Sequence, residues 1–271
     1  MDEQQQQRAC KLCGGKAAYQ FALSLPGGLQ GRYFECETCR LLQSYHLDDL
    51  SVDEMSAFYA NADPALDSGA AWRLSCVANR LEQLAHLGVL PRGNRHFKAL
   101  DFGCGSGFLV SYLAHRMQWD TAGSEPFATP SFAAHRVYKE WDDVLRHGPY
   151  HLIIASEVFE HFLKPRENLE KIAQALAPDY AFAYVTTGRY RPGTTDETWA
   201  YLGPQSGQHA AFYARESMEE VARQLNAQVF QPGAEYEWLF MRNAAGPPRR
   251  VAAACAALNR AVRLGIARKI I

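Results

Sequence analysis

Short apolar runs alternate with amphipathic stretches through the middle of the chain, and this alternation predicts its secondary structure. Seven apolar runs predict strands, at residues 97–102, 121–125, 136–138, 150–155, 180–185, 228–231 and 236–241. Amphipathic spacing predicts helices before and between them, at residues 70–87, 108–117, 128–135, 165–177 and 215–225. Strands that alternate with helices in this way are typical of an α/β fold.

The two ends of the chain follow other patterns. Residues 1–9 are polar and rich in glutamine, which predicts a frayed terminus, and Ser51 with Glu54 forms a capping box that predicts a helix start. Residues 249–271 carry six basic residues, no acid, and apolar side chains at three- and four-residue steps. This pattern predicts a basic amphipathic helix, which can dock on its own domain, on a second subunit as in a homodimer, on a membrane surface or on nucleic acid.

Composition limits the classes of function. The 271 residues include 28 basic and 29 acidic side chains, a net charge of −1, and this balance does not favour a nucleic-acid partner. No apolar stretch is long enough to span a bilayer and no apolar run opens the chain, so neither a transmembrane segment nor a signal peptide is predicted. We therefore expect a cytoplasmic protein whose seven cysteines are reduced.

Four of the cysteines form two C-x-x-C pairs. Cys10 and Cys13 are followed by two glycines, and Cys36 and Cys39 come after 22 intervening residues. Each pair can offer two thiolates from a tight turn, and four thiolates complete a tetrahedral zinc site. The alternatives are two disulfides, which are rare in the cytosol, or four unrelated cysteines. The spacing predicts a zinc ribbon whose ion is structural.

The stretch at residues 99–107, A-L-D-F-G-C-G-S-G, joins the first of the apolar strands to a helix. Gly103, Gly105 and Gly107 allow a sharp turn and the close approach of a ligand, and Asp101 precedes them by two residues. The spacing differs from the G-x-G-x-x-G of dinucleotide folds and from a P-loop. A purely structural turn is the alternative.

This stretch resembles motif I of class I S-adenosylmethionine (SAM) methyltransferases, which is close to V-L-D-x-G-C-G-x-G. The resemblance implies a Rossmann-like seven-stranded sheet, here with a small N-terminal zinc ribbon, and SAM as the cofactor. In that family an acid at the end of the second strand binds the ribose, and Glu125 matches its position. A second acid of the family lies beside the adenine amine, and Asp142 matches that position. The cofactor-binding residues that the resemblance implies are Asp101, Gly103, Cys104, Gly105, Gly107, Glu125, Asp142 and Ser156. A solvated turn acid at Glu125 and a helix N-cap at Asp142 are the alternatives.

Three residues are candidates for chemistry on the methyl acceptor. Glu157 and His161 lie in S-E-V-F-E-H-F (156–162), which resembles the segment after the fourth strand of the same family; His161 can equally be a structural histidine. His209 follows a long irregular segment, residues 186–208, that is rich in aromatic and arginine side chains and that we predict to face the substrate. Histidine suits the role of base because its pKa lies near neutrality, so His209 is the candidate base.

The cysteine pattern and the SAM motifs together resemble bacterial methyltransferases with an N-terminal zinc-binding domain, including sugar C-methyltransferases. Their ribbon reads C-x-x-C-G and then C-x-x-C-x-L-x-Q, and this chain has C-K-L-C-G at 10–14 and C-E-T-C-R-L-L-Q at 36–43. The sugar enzymes carry a glutamate–histidine pair where this chain has Gln208 and His209, so the acid of that pair is missing.

The sequence thus predicts four parts: a zinc ribbon (1–50), a helical connector or cap (51–95), a SAM-dependent methyltransferase domain (96–245) and a basic C-terminal helix (246–271). We expect an enzyme that methylates a small molecule, such as a sugar or another metabolite. The alternatives are an RNA methyltransferase guided by its zinc ribbon and a non-catalytic binding module that keeps the SAM fold.

Overall fold

A computed structural model describes residues 7–51, 53–54, 69–132, 135–242 and 248–264. The described residues form twelve strands: β1 (Arg8–Ala9), β2 (Lys16–Ser24), β3 (Gln30–Cys36), β4 (Leu42–Ser44), β5 (Lys98–Phe102), β6 (Asp120–Ser124), β7 (Arg136–Tyr138), β8 (Leu152–Ser156), β9 (Ala181–Thr186), β10 (Ala211–Phe212), β11 (Ala227–Phe230) and β12 (Glu237–Arg242). The same residues form six α-helices: α1 (Ala70–His86), α2 (Phe108–Arg116), α3 (Trp141–His147), α4 (Pro165–Ala175), α5 (Arg215–Gln224) and α6 (Pro248–Arg263).

The chain divides into two compact units, neither of which is continuous in sequence. The first unit combines residues 1–62, 157–170 and 187–224, and the second combines residues 63–156, 171–186 and 225–271. The chain therefore leaves the second unit directly after β8 and again directly after β9. The four parts expected from the sequence are continuous stretches of the chain that were divided by their motifs. Their boundaries stay a prediction.

The second unit is built on a seven-stranded sheet in the order β11-β12-β9-β8-β5-β6-β7. Strands β5 to β9 pair in parallel, and β12 and β11 complete the sheet as antiparallel strands. Parallel neighbours need crossover connections, and α2 lies in the one from β5 to β6, as α4 does in the one from β8 to β9. The predicted α/β fold with a Rossmann-like seven-stranded sheet is confirmed. The strand order reverses between β5 and β8, a place where open α/β sheets bind ligands.

Helices α1, α2 and α6 of the second unit bury their apolar faces in one core. Leu81 and Leu84 of α1 lie there with Val251, Cys255 and Leu258 of α6. The apolar face of the C-terminal helix is thus used inside the chain, in agreement with a helix docked on its own domain; residues 265–271 of the predicted helix lie outside the described ranges. Of the helices in the described ranges, none is both long and apolar enough to cross a membrane.

The first unit is built on a five-stranded antiparallel sheet in the order β1-β2-β3-β4-β10. Its last strand comes from far along the chain, where Ala211 pairs with Gln43 and Phe212 pairs with Leu42. The core beside this sheet includes side chains from the irregular segment 186–208; its buried members are Tyr33, Leu42, Tyr190, Leu202, Phe212 and Ala214. The aromatic residues of that segment therefore pack in a core, which their sequence pattern did not predict.

The helix predicted at residues 128–135 is wrong. Residues 128–132 are not helical, and residues 133–134 lie outside the described ranges. Pro130 disfavours a helix here, because proline has no N–H and disfavours helical geometry in the residue before it. The N–H groups of Phe127 and Ala128 instead donate to the Glu125 carboxylate at 2.9 and 3.0 Å.

The structure contradicts one expectation for a helix start and confirms another. The N-cap of α3 is Glu140, so the alternative reading of Asp142 as an N-cap is wrong, and Asp142 lies in the first turn. The capping box before the connector is confirmed: Ser51 N–H donates to Glu54 Oε2 at 2.8 Å, and Glu54 N–H donates to Ser51 Oγ at 3.3 Å. The predicted helix runs to Tyr59, and its residues 55–59 lie outside the described ranges.

A buried ion pair joins α1 to β12. Arg80 donates from Nε to Glu237 Oε2 at 2.7 Å and from Nη2 to Oε1 at 3.1 Å, and the two side chains are 2% and 0% exposed. Tyr184 OH donates to Oε2 at 3.0 Å, and Ala234 N–H donates to Oε1 at 3.1 Å. Each carboxylate oxygen therefore accepts two hydrogen bonds, which offset the cost of burying the charge.

We expect Arg80→Met to lower the free energy of unfolding by about 3–5 kcal/mol, because it leaves the Glu237 carboxylate buried without its charged partner. Equilibrium unfolding in urea measures the loss. Arg146→Met is the control, since Arg146 pairs with Asp143 at the surface with side chains 67% and 39% exposed. Such surface pairs contribute about 0–1 kcal/mol. Equal losses in the two variants would contradict the importance of the buried pair.

Candidate functional site

The residues that the sequence predicts for the site fall into two groups, one in each unit. The predicted cofactor-binding residues all belong to the second unit: Asp101, Gly103, Cys104, Gly105, Gly107, Glu125, Asp142 and Ser156. The catalytic candidates and the cysteine pairs all belong to the first unit: Glu157, His161, His209, Cys10, Cys13, Cys36 and Cys39.

The glycine loop connects β5 to α2 through three residues in the left-handed region, with φ of 72° at Gly103, 50° at Gly105 and 77° at Gly107. Gly103 N–H donates to Ser124 O at 2.8 Å, which fixes the loop against the end of β6. A Cβ atom at Gly105 would have no other atom within 4 Å. The loop thus presents bare backbone to open space at the start of a helix.

Glu125 is held against this loop by backbone donors. Its Oε2 accepts a hydrogen bond from Gly105 N–H at 2.9 Å, while its Oε1 accepts the two bonds from Phe127 and Ala128. The residue is 7% exposed, which does not fit a solvated turn acid. A carboxylate oxygen has two lone pairs, so Oε2 can accept one further hydrogen bond from a ligand.

Asp101 and Cys104 are buried beside Glu125. Burial, together with the charge of Glu125, raises the pKa of the Asp101 carboxyl to about 7. A cation placed near these two acids would favour their ionised forms. Cys104 packs against β6, where a Cβ atom at Gly123 would lie only 2.5 Å from its Sγ, and burial raises the pKa of this thiol as well.

The two remaining cofactor candidates lie at the end of a central strand and on a helix. Ser156 ends β8, and its Oγ lies 3.0 Å from Oγ1 of Thr186 at the end of β9. Asp142 is exposed in the first turn of α3. These contacts do not test whether Ser156 and Asp142 bind a cofactor, so both roles stay predictions.

The glycine loop and its acids fit SAM. The open space over Gly105 allows a ligand to lie against the backbone, and Glu125 is a fixed acceptor for a hydroxyl group. SAM carries a ribose diol and a positively charged sulfur, and the second of these is complementary to the charges of Asp101 and Glu125.

In the first unit, Glu157 and Glu160 share one phenol. Tyr201 OH lies 2.9 Å from Glu157 Oε2 and 2.7 Å from Glu160 Oε1, and because it has a single proton it donates to one carboxylate at a time. Glu157 has a φ of 54°, which is uncommon for a residue with a side chain. Such strain persists only where surrounding contacts hold it, and it concentrates at functional sites.

Glu160 lies at the centre of this cluster, and the sequence analysis missed it. The residue is 1% exposed, Thr187 Oγ1 donates to its Oε2 at 2.8 Å, and Ala210 N–H donates to its backbone oxygen at 2.8 Å. The adjacent polar pair of Glu160 and His161 was the available signal. Its partners Thr187 and Tyr201 lie 27 and 41 residues away in the chain, so no local pattern connects them.

The two candidate histidines lie side by side, with ring centroids 4.9 Å apart and ring planes at 78°. His161 Nδ1 donates to Gln208 O at 3.2 Å, and His209 Nδ1 donates to Tyr201 O at 2.6 Å. Because a carbonyl oxygen only accepts, Nδ1 carries a proton in both rings. Burial, and secondly the charge of His209, lower the pKa of His161 to about 3, so this ring is neutral at physiological pH.

The four cysteines of the two C-x-x-C pairs come together. Their sulfur atoms all lie within 4.8 Å of one another, with 3.6 Å between those of Cys10 and Cys39 and 3.5 Å between those of Cys13 and Cys36. Sulfur ligands of one tetrahedral zinc ion lie about 3.8 Å apart, since each Zn–S bond is about 2.3 Å long. All four thiols are free, so the disulfide alternative is wrong, as is the alternative of four unrelated cysteines.

The groups around the sulfur atoms suit thiolates. Backbone N–H groups of Gly15 and Thr38 donate to the sulfur atoms of Cys13 and Cys36, each at 3.4 Å. The hydrogen bond with Cys39 lowers the pKa of Cys10 to about 5. Donors that point at sulfur stabilise the thiolate, which is the form that binds metal, so the cluster fits a zinc ion.

We expect Gly105→Ala to weaken SAM binding about tenfold or more, because the added methyl group would occupy the open space over the loop. Calorimetric titration with SAM measures this. Gly27→Ala is the matched control: Gly27 has a φ of 71° and also no atom within 4 Å of a Cβ, so both variants carry a similar backbone strain of about 1–2 kcal/mol. If both variants kept wild-type affinity, the cofactor would not lie over Gly105.

Comparison with solved structures found several methyltransferases. An O-methyltransferase family protein from Burkholderia thailandensis is 13% identical, with a TM-score of 0.46 over 67% of this chain, and the chain spans 62% of its length. The 1,6-didemethyltoxoflavin N1-methyltransferase of the same organism, solved with S-adenosylhomocysteine, is 13% identical, with a TM-score of 0.49 over 82% of this chain and 97% of its own. A plantazolicin methyltransferase with S-adenosylhomocysteine is 12% identical, with a TM-score of 0.48 over 71% of this chain and 91% of its own.

Comparison at the level of sequence gives the family. A search of curated proteins found no match. A family model described as a methyltransferase domain matches residues 72–231, which is more than half of the chain. The matched range contains the glycine loop, Glu125 and the cluster around Glu160. The chain therefore belongs to the methyltransferase-domain family.

Proposed function

We propose that this methyltransferase acts on a small-molecule acceptor, such as a sugar or another metabolite, and that His209 takes up the proton of the acceptor. The orientation of His209 carries the proposal. Its Nδ1–H is held by Tyr201 O at 2.6 Å, which leaves Nε2 as the basic nitrogen. The side chain is only partly buried, so a small acceptor has access to it.

SAM supplies a methyl group that is bonded to a positively charged sulfur. A lone pair of the acceptor forms the new bond to the methyl carbon, the carbon–sulfur bond breaks, S-adenosylhomocysteine leaves, and the acceptor loses a proton. In this chain His209 accepts that proton. Glu157 and His161 are the remaining catalytic candidates, and Glu157 with Tyr201 offers hydrogen-bonding groups that can orient a hydroxyl or an amine.

We assign the cofactor to the second unit, on the residues that the sequence predicts. Gly103, Gly105 and Gly107 would let SAM lie against the backbone, and Glu125 would accept hydrogen bonds from the ribose. Asp142 would contact the adenine amine. Asp101, Cys104 and Ser156 would shape the pocket, with Asp101 adding negative charge near the sulfonium.

The net charge supports a small acceptor over RNA. A protein that grips nucleic acid neutralises many phosphates with lysine and arginine. This chain has 28 basic and 29 acidic side chains and so no excess of positive charge. RNA methylation remains one of the outcomes that the acceptor screen below separates.

We also propose that Cys10, Cys13, Cys36 and Cys39 hold one zinc ion as a structural centre, like the zinc-binding domains that the ribbon resembles. Four thiolates fill the coordination shell and leave no position for a substrate. The ribbon is tied into the first unit at Leu12 O, which accepts hydrogen bonds from Arg166 Nε at 3.2 Å and Gln224 Nε2 at 2.9 Å. Loss of zinc would loosen these contacts as well.

We expect His209→Gln to lower turnover by about 100-fold or more while SAM affinity stays close to that of the wild type, because a glutamine cannot accept the proton. The assay follows methyl transfer from radiolabelled SAM to a panel of sugars and other metabolites and to RNA. His96→Gln, at an exposed position, is the control. Methylation of RNA alone would refute the small-molecule acceptor, and full turnover in His209→Gln would refute the base.

We expect Cys36→Ser to lose one equivalent of zinc per chain and to melt at a lower temperature, because three thiolates no longer close the site. Atomic absorption on purified protein and a thermal melt measure both effects. Cys255→Ala removes a buried thiol of the second unit and is expected to keep the metal. A wild-type protein that contains no zinc would rule out the structural centre.

A further inference from the structure

Among the described residues, three side chains of the first unit form a second group with metal-binding geometry. Glu160, His161 and His209 each offer one ligand atom, and these atoms all lie within 4.8 Å of one another. Bonds from a transition metal to nitrogen and oxygen are about 2.0–2.2 Å long, which places the ligands of one ion about 3–4 Å apart. Small side-chain rotations therefore bring the three atoms onto one ion.

Each of the three side chains also has the outer partner that metal ligands usually have. His161 donates its Nδ1–H to Gln208 O, and His209 donates its Nδ1–H to Tyr201 O. The Glu160 carboxylate accepts hydrogen bonds from Tyr201 OH and from Thr187 Oγ1. Metal-binding imidazoles are oriented by such bonds to carbonyl groups, and metal-binding carboxylates are themselves hydrogen-bonded.

The hydrogen bonds of the two imidazole rings favour the binding of a cation. Because Nδ1 of each histidine donates to a carbonyl, Nε2 is the ring nitrogen through which each histidine would bind a metal, and Glu160 would bind through a carboxylate oxygen. The three residues thus converge beside a carboxylate that is 1% exposed. A cation bound to all three offsets the cost of burying this carboxylate.

We propose that Glu160, His161 and His209 bind one divalent ion of a first-row transition metal. Two imidazole nitrogens and one carboxylate oxygen favour zinc, iron, cobalt or manganese over magnesium and calcium, which prefer sites made of oxygen. Three protein ligands leave coordination positions open. The ion can therefore take an oxygen or nitrogen atom of the acceptor and make its proton more acidic.

This inference changes the role of His209 in the loaded protein. With the ion bound, His209 is a ligand, the ion activates the acceptor, and Glu157, the carboxylate of the cluster outside the three ligands, takes up the proton that the acceptor releases. Binding of the metal needs neither SAM nor acceptor. The test below therefore succeeds or fails independently of the acceptor proposed for the enzyme.

Cobalt titration of untagged, zinc-loaded protein tests the site. Co²⁺ bound by nitrogen and oxygen gives weak visible bands, whereas Co²⁺ that replaces zinc at the four cysteines gives intense thiolate charge-transfer bands, so the spectrum separates the two sites. We expect the wild type to bind one Co²⁺ per chain with the weak bands and to keep its zinc.

Variants of the ligands and of one outer partner sharpen the test. We expect His161→Gln and His209→Gln each to lower cobalt affinity about 100-fold or more, and Thr187→Val, which removes a hydrogen bond to Glu160, to lower it about tenfold. His96→Gln removes an exposed histidine and is expected to bind cobalt as the wild type does. Zinc content and the thermal melt of each variant report whether it is folded.

Two results would overturn the site. One is a wild-type protein that takes up cobalt only by losing zinc. The other is folded His161→Gln and His209→Gln protein that binds cobalt as tightly as His96→Gln. If Thr187→Val kept the wild-type affinity for cobalt, the hydrogen bond from Thr187 would not contribute to metal binding. The histidine variants would then decide whether the three ligands bind the ion.

Discussion

The buried carboxylate of Glu160 is the constraint on which the first unit depends. A charged group that is 1% exposed must be hydrogen-bonded, and the donors come from Tyr201 and Thr187, while Ala210 binds the backbone of the same residue. These bonds fix the segment after β8 to the segment after β9. The positions of His161 and His209, and the phenol shared with Glu157, follow from that arrangement.

The first unit also shows why the cysteine ribbon is not built from the N-terminal residues alone. Small domains bury too little apolar surface to be stable without additional support. Here β10 adds a strand from residues 211–212, and Ser217 of α5 donates its hydroxyl to Cys39 O at 2.7 Å. The ribbon is completed by segments that follow two strands of the seven-stranded sheet, so a metal at the cysteines and the polar cluster belong to one folded unit.

The two units use charge in different ways. In the second unit, Asp101 and Glu125 lie beside an open glycine loop, and burial, with the charge of Glu125, raises the pKa of Asp101. Arg80 and Glu237 in the same unit neutralise each other and contribute to stability. In the first unit, two imidazoles and a hydrogen-bonded carboxylate converge, an arrangement suited to proton transfer or to a cation.

The sequence by itself determined the seven-stranded α/β fold, the glycine loop and the grouping of the four cysteines. Each of these follows from local spacing, namely apolar runs, alternating glycines and C-x-x-C pairs. It failed at residues 128–132, which are not helical and where Pro130 disfavours helical geometry in the residue before it. Only the tertiary structure decided the cluster of Glu160, Tyr201, His161 and His209. Its hydrogen bonds join residues up to 50 positions apart, and such contacts leave no periodic trace in the chain because they form only when the segments after β8 and β9 pack together.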